Sequence, residues 1–523
     1  MNLYQRFVEA ARDHDDAVAF RLPAGSPESE LGAGEITHGE LHRRVGSFAR
    51  CLLALDVAPG DRVAVQVEKS LAAIALYLAT LRIGAVHLPL NGSYTLAELD
   101  YFIGDAQPKL MVCTPARLAE LEARSGVPLD CGCRSLDVDG SGTLADAAAT
   151  AGAADPARDD GADVLPPVVM RRADDPAAIL YTSGTTGQSK GAVLSHGALA
   201  ANADTLRRYW GWRRDDVLLH GLPIHHTHGL FVALHCALLE PSPIILLPHF
   251  DAAGVLAALP AASVYMGVPT HFVRLLAEPD LDAARCRQMR LFVSGSAPLT
   301  AATATAFAAR TGYSILERYG MTEAGMITSN PLDGERIPGT VGFALPGVSV
   351  RLRSEAGDPV GAGEVGVLEI RSPGLFDGYW RNPEKTAGAF RDGWFVTGDL
   401  AMQSDDGRVT LVGRQSDLVI SGGLNVYPKE VEAALDALPG IAESAVVGVA
   451  HPDFGEAVVA LVVLQPGADF IGEAACIARL REGLAAFKLP KRIRVLPSLP
   501  RNSMGKVEKK RLRDRFTGLF DAA

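Results

Sequence analysis

Apolar residues follow two spacings along the chain. Leu41, Val45, Phe48 and Leu52 recur on one helical face, and Thr37-x-x-Glu40 ahead of them has the form of a capping box. After Pro59-Gly60 the run RVAVQV reads as a short buried strand. A helical stretch follows from Ser70, then the apolar run GAVHLPLN, another helix, and the strand KLMVCT. Such alternation predicts an α/β fold with helices covering a mostly parallel sheet. Positions 139 to 175, rich in Ala, Asp, Gly and Pro, predict a surface excursion, mobile or weakly helical. Beyond the strand-like RVTLVGR, the runs AVVGVA and AVVALVVL change the pattern to α+β. The expected division is a large domain of layered sheets and helices over 1–413 and a small α+β domain over 414–523.

Composition narrows the classes. With 523 residues, 48% of them hydrophobic, the chain has ample core for two to four domains. A net charge of −11 argues against a nucleic-acid footprint. Seven scattered cysteines, an odd count, do not form a disulfide framework, and Cys131-x-Cys133 lacks the second pair a metal site needs. The N-terminus turns acidic before any signal-like apolar region, and no run approaches the ~20 apolar residues of a spanning helix. A soluble, cytoplasmic monomer or small homo-oligomer is expected.

The stretch ILYTSGTTGQSKGAVLSH, Ile179 to His196, sets small and hydroxyl residues and one lysine between two apolar runs. Its spacing is not that of a Walker loop. The physics of anion binding is nonetheless present: small residues let backbone N–H groups approach, hydroxyls of Thr182, Ser183, Thr185 and Thr186 donate, and Lys190 supplies charge. A flexible polar loop with a chance lysine is the plainer alternative.

The T-S-G-T-T-G-x-x-K-G run resembles the signature of the acyl-adenylate-forming enzymes: acyl-CoA synthetases, adenylation domains and luciferase-type proteins. LPIHHTHG (Leu222–Gly229), SGSAPL (Ser294–Leu299), ERYGMTEAG (Glu317–Gly325), GWFVTGDL (Gly393–Leu400), GRQSDLVISGGLNVYPKEVE (Gly413–Glu432) and PRNSMGKVEKKRL (Pro500–Leu512) follow in the family's order. Within it, ERYGMTE, ALPGV and GGLNVYPKE are most similar to malonyl-CoA synthetases.

The resemblance implies a two-step ligase. A carboxylate is coupled to AMP with loss of pyrophosphate, and coenzyme A thiolate then displaces AMP; both steps build negative charge that fixed donors stabilise. It implies that Thr182, Ser183, Gly184, Thr185, Thr186, Gly187 and Lys190 surround the ATP phosphates. Thr322 contacts the α-phosphate, and Glu323 holds Mg²⁺, a hard cation suited to oxygen ligands. Glu317, Arg318, Tyr319, Gly320 and Met321 join the AMP site, with Tyr319 offering adenine a flat face and the Ser294, Gly295, Ser296, Ala297 and Pro298 backbone its edge contacts. Asp399 takes the ribose hydroxyls with help from Arg414. Lys506, on an exposed loop marked by Pro500-Arg501 and Gly505, bridges the substrate carboxylate and the α-phosphate, and Lys509, Lys510, Arg511 and Arg513 form a helix face toward coenzyme A phosphates. The small domain swings about a hinge, where Ser416 stands in place of the usual Asp or Lys, and Gly422, Gly423 and Leu424 then line the pantetheine tunnel.

His225, His226 and His228 are too close in sequence to converge on zinc; the resemblance puts His226 beside the acyl pocket as a gate. A dicarboxylic substrate needs a cation at the pocket's far end, and Arg274 and Arg318 are the candidates, with Thr227 and Met326 flanking the α-carbon. The competing reading pairs Arg318 with Glu317 or Asp399 as structure. The function expected is ligation of malonate, with methylmalonate secondary, to coenzyme A. Another short or medium acid, loading of a separate carrier protein, and an inactive nucleotide binder are the alternatives.

Overall fold

The structure is a computed structural model and describes residues 1–23, 34–124, 131–147, 165–182, 189–422, 424–452, 454–502 and 505–520. Ser183, Gly184, Thr185, Thr186, Gly187 and Gly423, and the middle of the excursion expected over 139–175, lie outside the described residues.

Local signals carry through. Thr37 caps the helix His38–Ala54: its hydroxyl accepts the Glu40 N–H at 3.2 Å and Glu40 Oε2 accepts the Thr37 N–H at 2.8 Å, a capping box. Leu41, Val45 and Leu52 are buried on its inner face while Arg43 and Arg44 face solvent. The next helix, Leu71–Arg82, is capped by Ser70 and buried on every side, as its nearly unbroken apolar run requires. It lies in a core cluster that also takes side chains from two large sheets.

One sheet has seven strands, in the order Gly378–Tyr379, Lys190–Ser195, Pro176–Thr182, Val86–Pro89, Arg62–Gln66, Leu110–Cys113, Gly132–Ser135. Its last five strands run parallel, and Pro176–Thr182 and Lys190–Ser195 make an antiparallel hairpin around the phosphate-loop sequence. The other has nine: Phe343–Ala344, Gly325–Ser329, Leu316–Met321, Leu291–Ser294, Val264–Gly267, Leu218–His220, Ile244–Leu246, Val18–Arg21 and Glu35–Thr37. Its six middle strands are parallel, with Gly267 opposite Ser294 and Ser294 opposite Glu317. The chain therefore leaves His220, Gly267, Ser294 and Met321 on one edge, the carboxyl edge where open α/β sheets bind ligands.

A five-stranded sheet containing Trp394–Gln403 and Val409–Arg414 follows. A single turn, Gln415–Asp417, then leads into a separate five-stranded sheet built on the hairpin Ile441–His451 and Gly455–Leu464, with its own apolar cores. Ser416 sits exposed in that turn. In the basic helix Lys509–Phe516, Lys509 pairs with Glu432 at 2.7 Å, Arg513 with Asp417 at 2.6 Å and Arg511 with Glu508 at 3.6 Å. The first two pairs tie the helix to the rest of the small domain, while Arg511 stays largely exposed.

Candidate active site

Ser294, Gly295 and Arg318 build the first corner. Arg318, on the strand Leu316–Met321, is 4% exposed and lies against Gly295, where a Cβ would stand 2.3 Å from the guanidinium carbon. Only glycine leaves room for the guanidinium there. Burial pulls the Arg318 pKa down to about 9, so the group is still a cation near neutrality. Its Nε and Nη2 have no hydrogen-bond partner among the described residues, and the same holds for Ser294 Oγ, Thr227 Oγ1, His226 Nε2 and His228 Nε2. His228 starts a π-helical segment, His228–Leu234, and its Nδ1 meets Ser296 Oγ at 3.3 Å, with Ser296 in the left-handed region at φ 71°. Burial, joined by Lys506 at His226 and by Arg318 at His228, holds both imidazoles well below the usual range, so both are neutral. Met326 is buried close over Gly320.

The pairing of Arg318 with Glu317 or Asp399 does not occur. Neighbours in a strand face opposite sides, and Glu317 accepts the Leu299 and Gly339 N–H groups at 3.3 and 3.1 Å. Asp399 is held elsewhere. Arg274 is exposed on the helix Pro269–Ala277, near the ring of Phe250, and lines the cavity described below. A largely buried corner of polar groups, with no acid paired to Arg318 among the described residues, is suited to an anion with several oxygens.

Glu323 forms the second corner, in the turn between Leu316–Met321 and Gly325–Ser329, beside Thr322. The Phe376 N–H donates to the Glu323 carbonyl at 2.8 Å and fixes the turn. Glu323 Oε1 accepts from Tyr379 at 3.1 Å and from Thr182 at 3.4 Å, while Oε2 accepts no hydrogen bond among the described residues. The ammonium of Lys190 sits 5.1 Å from the centre of the Tyr379 ring. A largely buried carboxylate with one oxygen anchored and the other available fits a hard divalent cation beside a phosphate.

The third corner is the pair of neighbouring strands carrying Asp399 and Arg414, which face each other in register. Arg414 Nε lies 3.0 Å from Asp399 Oδ1, and the Tyr319 hydroxyl donates to Oδ2. Tyr319 is buried, its ring fixed by that bond. Lys506 joins the three corners from the small domain. Its loop closes on itself, with the Lys506 N–H donating to Asn502 Oδ1 at 3.0 Å. Solvent reaches the residue along the cleft, yet protein surrounds its ammonium: burial lowers its pKa, Arg414 and Arg318 lower it further, and Asp399 and Glu323 oppose them.

Between the Lys506 loop and the large domain lies a cavity of about 510 Å³, lined by Lys69, Asn91, His225 and Thr270 on one side and Arg501, Asn502 and Gly505 on the other. Gly422 and Leu424 are away from it, on a hairpin tip with Ile420, Leu424 and Phe454 exposed. His228 and Tyr379 were not among the site residues expected from sequence. One is hidden in a histidine-rich run and the other in an ordinary-looking aromatic strand.

The AMP-binding enzyme family profile matches residues 7–380, and that of the AMP-binding enzyme C-terminal domain matches 430–506. The ATP-bound crystal structure of MatB from Rhodopseudomonas palustris is 48% identical, with a TM-score of 0.92 over 99% of both chains. The mitochondrial malonate–CoA ligase ACSF3 of Mus musculus is 36% identical over 92% of this chain and 86% of its own. A feruloyl-CoA synthase from an Amycolatopsis species is 34% identical over 93% and 95%. The chain belongs to the AMP-binding enzymes and is an AMP-forming acid–thiol ligase that uses ATP.

Proposed function

We propose that this ligase joins malonate to coenzyme A through malonyl-adenylate, with methylmalonate as a secondary substrate. The observation that carries the reading is Arg318: a buried guanidinium with Nε and Nη2 unpartnered, among further unpartnered donors. An unpaired buried charge is costly, and a ligand carboxylate removes the cost. Thr227 and Met326 flank the methylene carbon, and Arg274 is left outside this contact.

In this reading one malonate carboxylate is held by Arg318 with Ser294 and His228, and the other attacks the α-phosphorus of ATP, expelling pyrophosphate. Lys506 and Thr322 stabilise the charge that develops there. Thr182 and Lys190, with the loop between them, hold the outgoing phosphates; Asp399 and Arg414 take the ribose; Tyr319 and the Ser294–Pro298 segment hold adenine. Glu323 would hold Mg²⁺, which would supply positive charge against the phosphates. The thiol of coenzyme A gives up its proton, attacks the acyl carbonyl and releases AMP. For that step the domain after residue 413 turns about Ser416 and carries Gly422, Gly423 and Leu424 to the channel. The neutral His226 lines the path to the acyl carbon.

The test is ATP–pyrophosphate exchange with malonate, methylmalonate, hexanoate and ferulate, each alone and then with free coenzyme A. Malonate-dependent exchange and malonyl-CoA formation are expected. Preference for hexanoate or ferulate, the latter the acid named for the feruloyl-CoA synthase relative, overturns the substrate, and exchange without thioester formation points to a carrier-protein acceptor instead.

A further inference from the structure

Tyr379 touches two groups of opposite charge and belongs to neither corner by sequence. Its hydroxyl donates to Glu323 Oε1 at 3.1 Å, and its ring face meets the Lys190 ammonium 5.1 Å from the centroid. No ion pair joins Lys190 to Glu323 among the described residues, although both flank the one ring. The ring is held by contacts that depend on neither charge. The strand Gly378–Tyr379 pairs with Lys190–Ser195, setting Tyr379 opposite Ala192. The Tyr379 N–H donates to Thr386 Oγ1 at 2.9 Å, and Phe376 packs edge-on against the ring at 4.9 Å. Gly378, at φ 135°, lets the chain pass Thr386 so closely that a Cβ would stand 2.7 Å from its side chain.

We propose that Tyr379 is a positioning residue, a spacer that keeps Lys190 and Glu323 from neutralising each other before ATP arrives. A lysine and a glutamate facing each other across a largely enclosed cleft attract strongly. Collapsed into an ion pair, the lysine is lost to the phosphates and the carboxylate to the metal. The ring denies that contact while offering the ammonium a π-face. The hydroxyl takes one carboxylate oxygen and leaves Oε2 for the cation. This role rests on the ATP-dependent reading of the site, not on the identity of the acid.

The test measures Mn²⁺ binding to the ATP-saturated full chain by electron paramagnetic resonance, in wild type, Tyr379→Phe, Tyr379→Ala, Lys190→Met and the Lys190→Met/Tyr379→Ala double variant. Supporting-residue losses at metal sites run about 10–100-fold, so Tyr379→Ala is expected to weaken Mn²⁺ at least about tenfold. Tyr379→Phe keeps the ring and is expected to lose about threefold or less, since only one hydrogen bond goes. With Lys190 already removed there is nothing to collapse onto Glu323, and Tyr379→Ala should cost only about threefold or less more, the share of the lost hydrogen bond. Wild-type affinity in Tyr379→Ala, a loss in Tyr379→Phe equal to that in Tyr379→Ala, or an undiminished loss in the double variant each overturns the spacer. If thermal melting shows Tyr379→Ala unfolded, Tyr379→Leu takes its place under the same criteria. Wild type that binds Mn²⁺ and ATP but exchanges with another acid sinks malonate and leaves the spacer standing. Wild type that binds neither sinks both.

Discussion

Two arginines on the nine-stranded sheet lie at its opposite edges and are treated in opposite ways. Arg290, just before the strand Leu291–Ser294, donates Nε to Asp216 Oδ1 at 2.6 Å, Nη2 to Oδ2 and Nη1 to the Trp210 carbonyl at 3.2 Å. Asp216 is fully buried and also accepts from Ser263 at 2.7 Å and the Arg213 N–H at 2.8 Å. Arg318, at the carboxyl edge, pairs with no acid among the described residues. Folding completes the network at the amino edge by itself; at the carboxyl edge it leaves buried polar atoms without a protein partner among the described residues. The contrast separates an arginine that holds the sheet from one that the sheet leaves unpaired, the one proposed above to read the substrate.

Arg318→Gly is the strongest test of that contrast. It removes the cation and opens the pocket, and malonate kcat/KM is expected to fall by roughly 10²–10⁴, the weight of a lost buried charge pair. Butyrate should be used as well as before or better. Arg274→Ala is the companion variant, expected to leave malonate selectivity intact. Full malonate selectivity in Arg318→Gly would erase the distinction between the two edges.

Lys506 is a third cation, delivered to the carboxyl edge by the small domain. Lys506→Ala is expected to lower malonate-dependent ATP–pyrophosphate exchange by about 10²–10³, the usual weight of one donor to a developing charge. Thioester formation from pre-made malonyl-AMP should stay near wild type, because in the proposed mechanism that step follows departure of the loop. Equal losses in both half-reactions would show that Lys506 does not act on charge developing in adenylation.

Arg290→Met is the converse experiment. Breaking a largely buried pair leaves Asp216 uncompensated, so stability should fall by about 2–3 kcal/mol, read as a lower melting temperature. The protein that remains folded should turn over malonate at the wild-type rate. Lost turnover at unchanged melting temperature would put Arg290 on the functional side of the comparison.

Much of this was legible in the sequence, for physical reasons that differ by region. The capping box at Thr37 and Glu40 and the strand Arg62–Gln66 are local, and local chemistry decides them. Pairings such as Val18–Arg21 beside Ile244–Leu246, or Gly378–Tyr379 beside Lys190–Ser195, join distant segments by packing that no local pattern encodes. The family motifs brought Glu323, Asp399, Arg414 and Lys506 toward one cleft, which is where they stand. They did not choose between Arg274 and Arg318, since both are cations in apolar contexts. The choice depends on which one the fold seals from solvent. The basic tail could not be divided from sequence, because a run of cations looks alike whether it awaits phosphate or is paired, as Lys509 and Arg513 are.

Glu317 gives the smallest and most local test, since it precedes Arg318 and points the other way. Burial lifts its pKa from 4.5 to about 7, against the opposing pull of the Gly339 N–H, Lys429 and the Leu299 N–H. A carboxyl whose folded pKa is raised favours its neutral form, so its contribution to stability is present below the unfolded pKa and is lost as pH climbs through the folded one. Wild type should therefore lose stability relative to Glu317→Gln between pH 4.5 and about 7, by roughly 1–3 kcal/mol, with no change in that difference below pH 4. Melting curves of the two proteins across this range measure it directly. Gln keeps one acceptor for the two backbone N–H groups, as protonated Glu does, so the comparison isolates the charge. Malonate use should hold at acid pH, where both side chains are neutral. If Glu317→Gln instead weakens malonate in step with Arg318→Gly, the two neighbours act as a pair across the strand, and Arg318 is not the unpartnered cation the pocket requires.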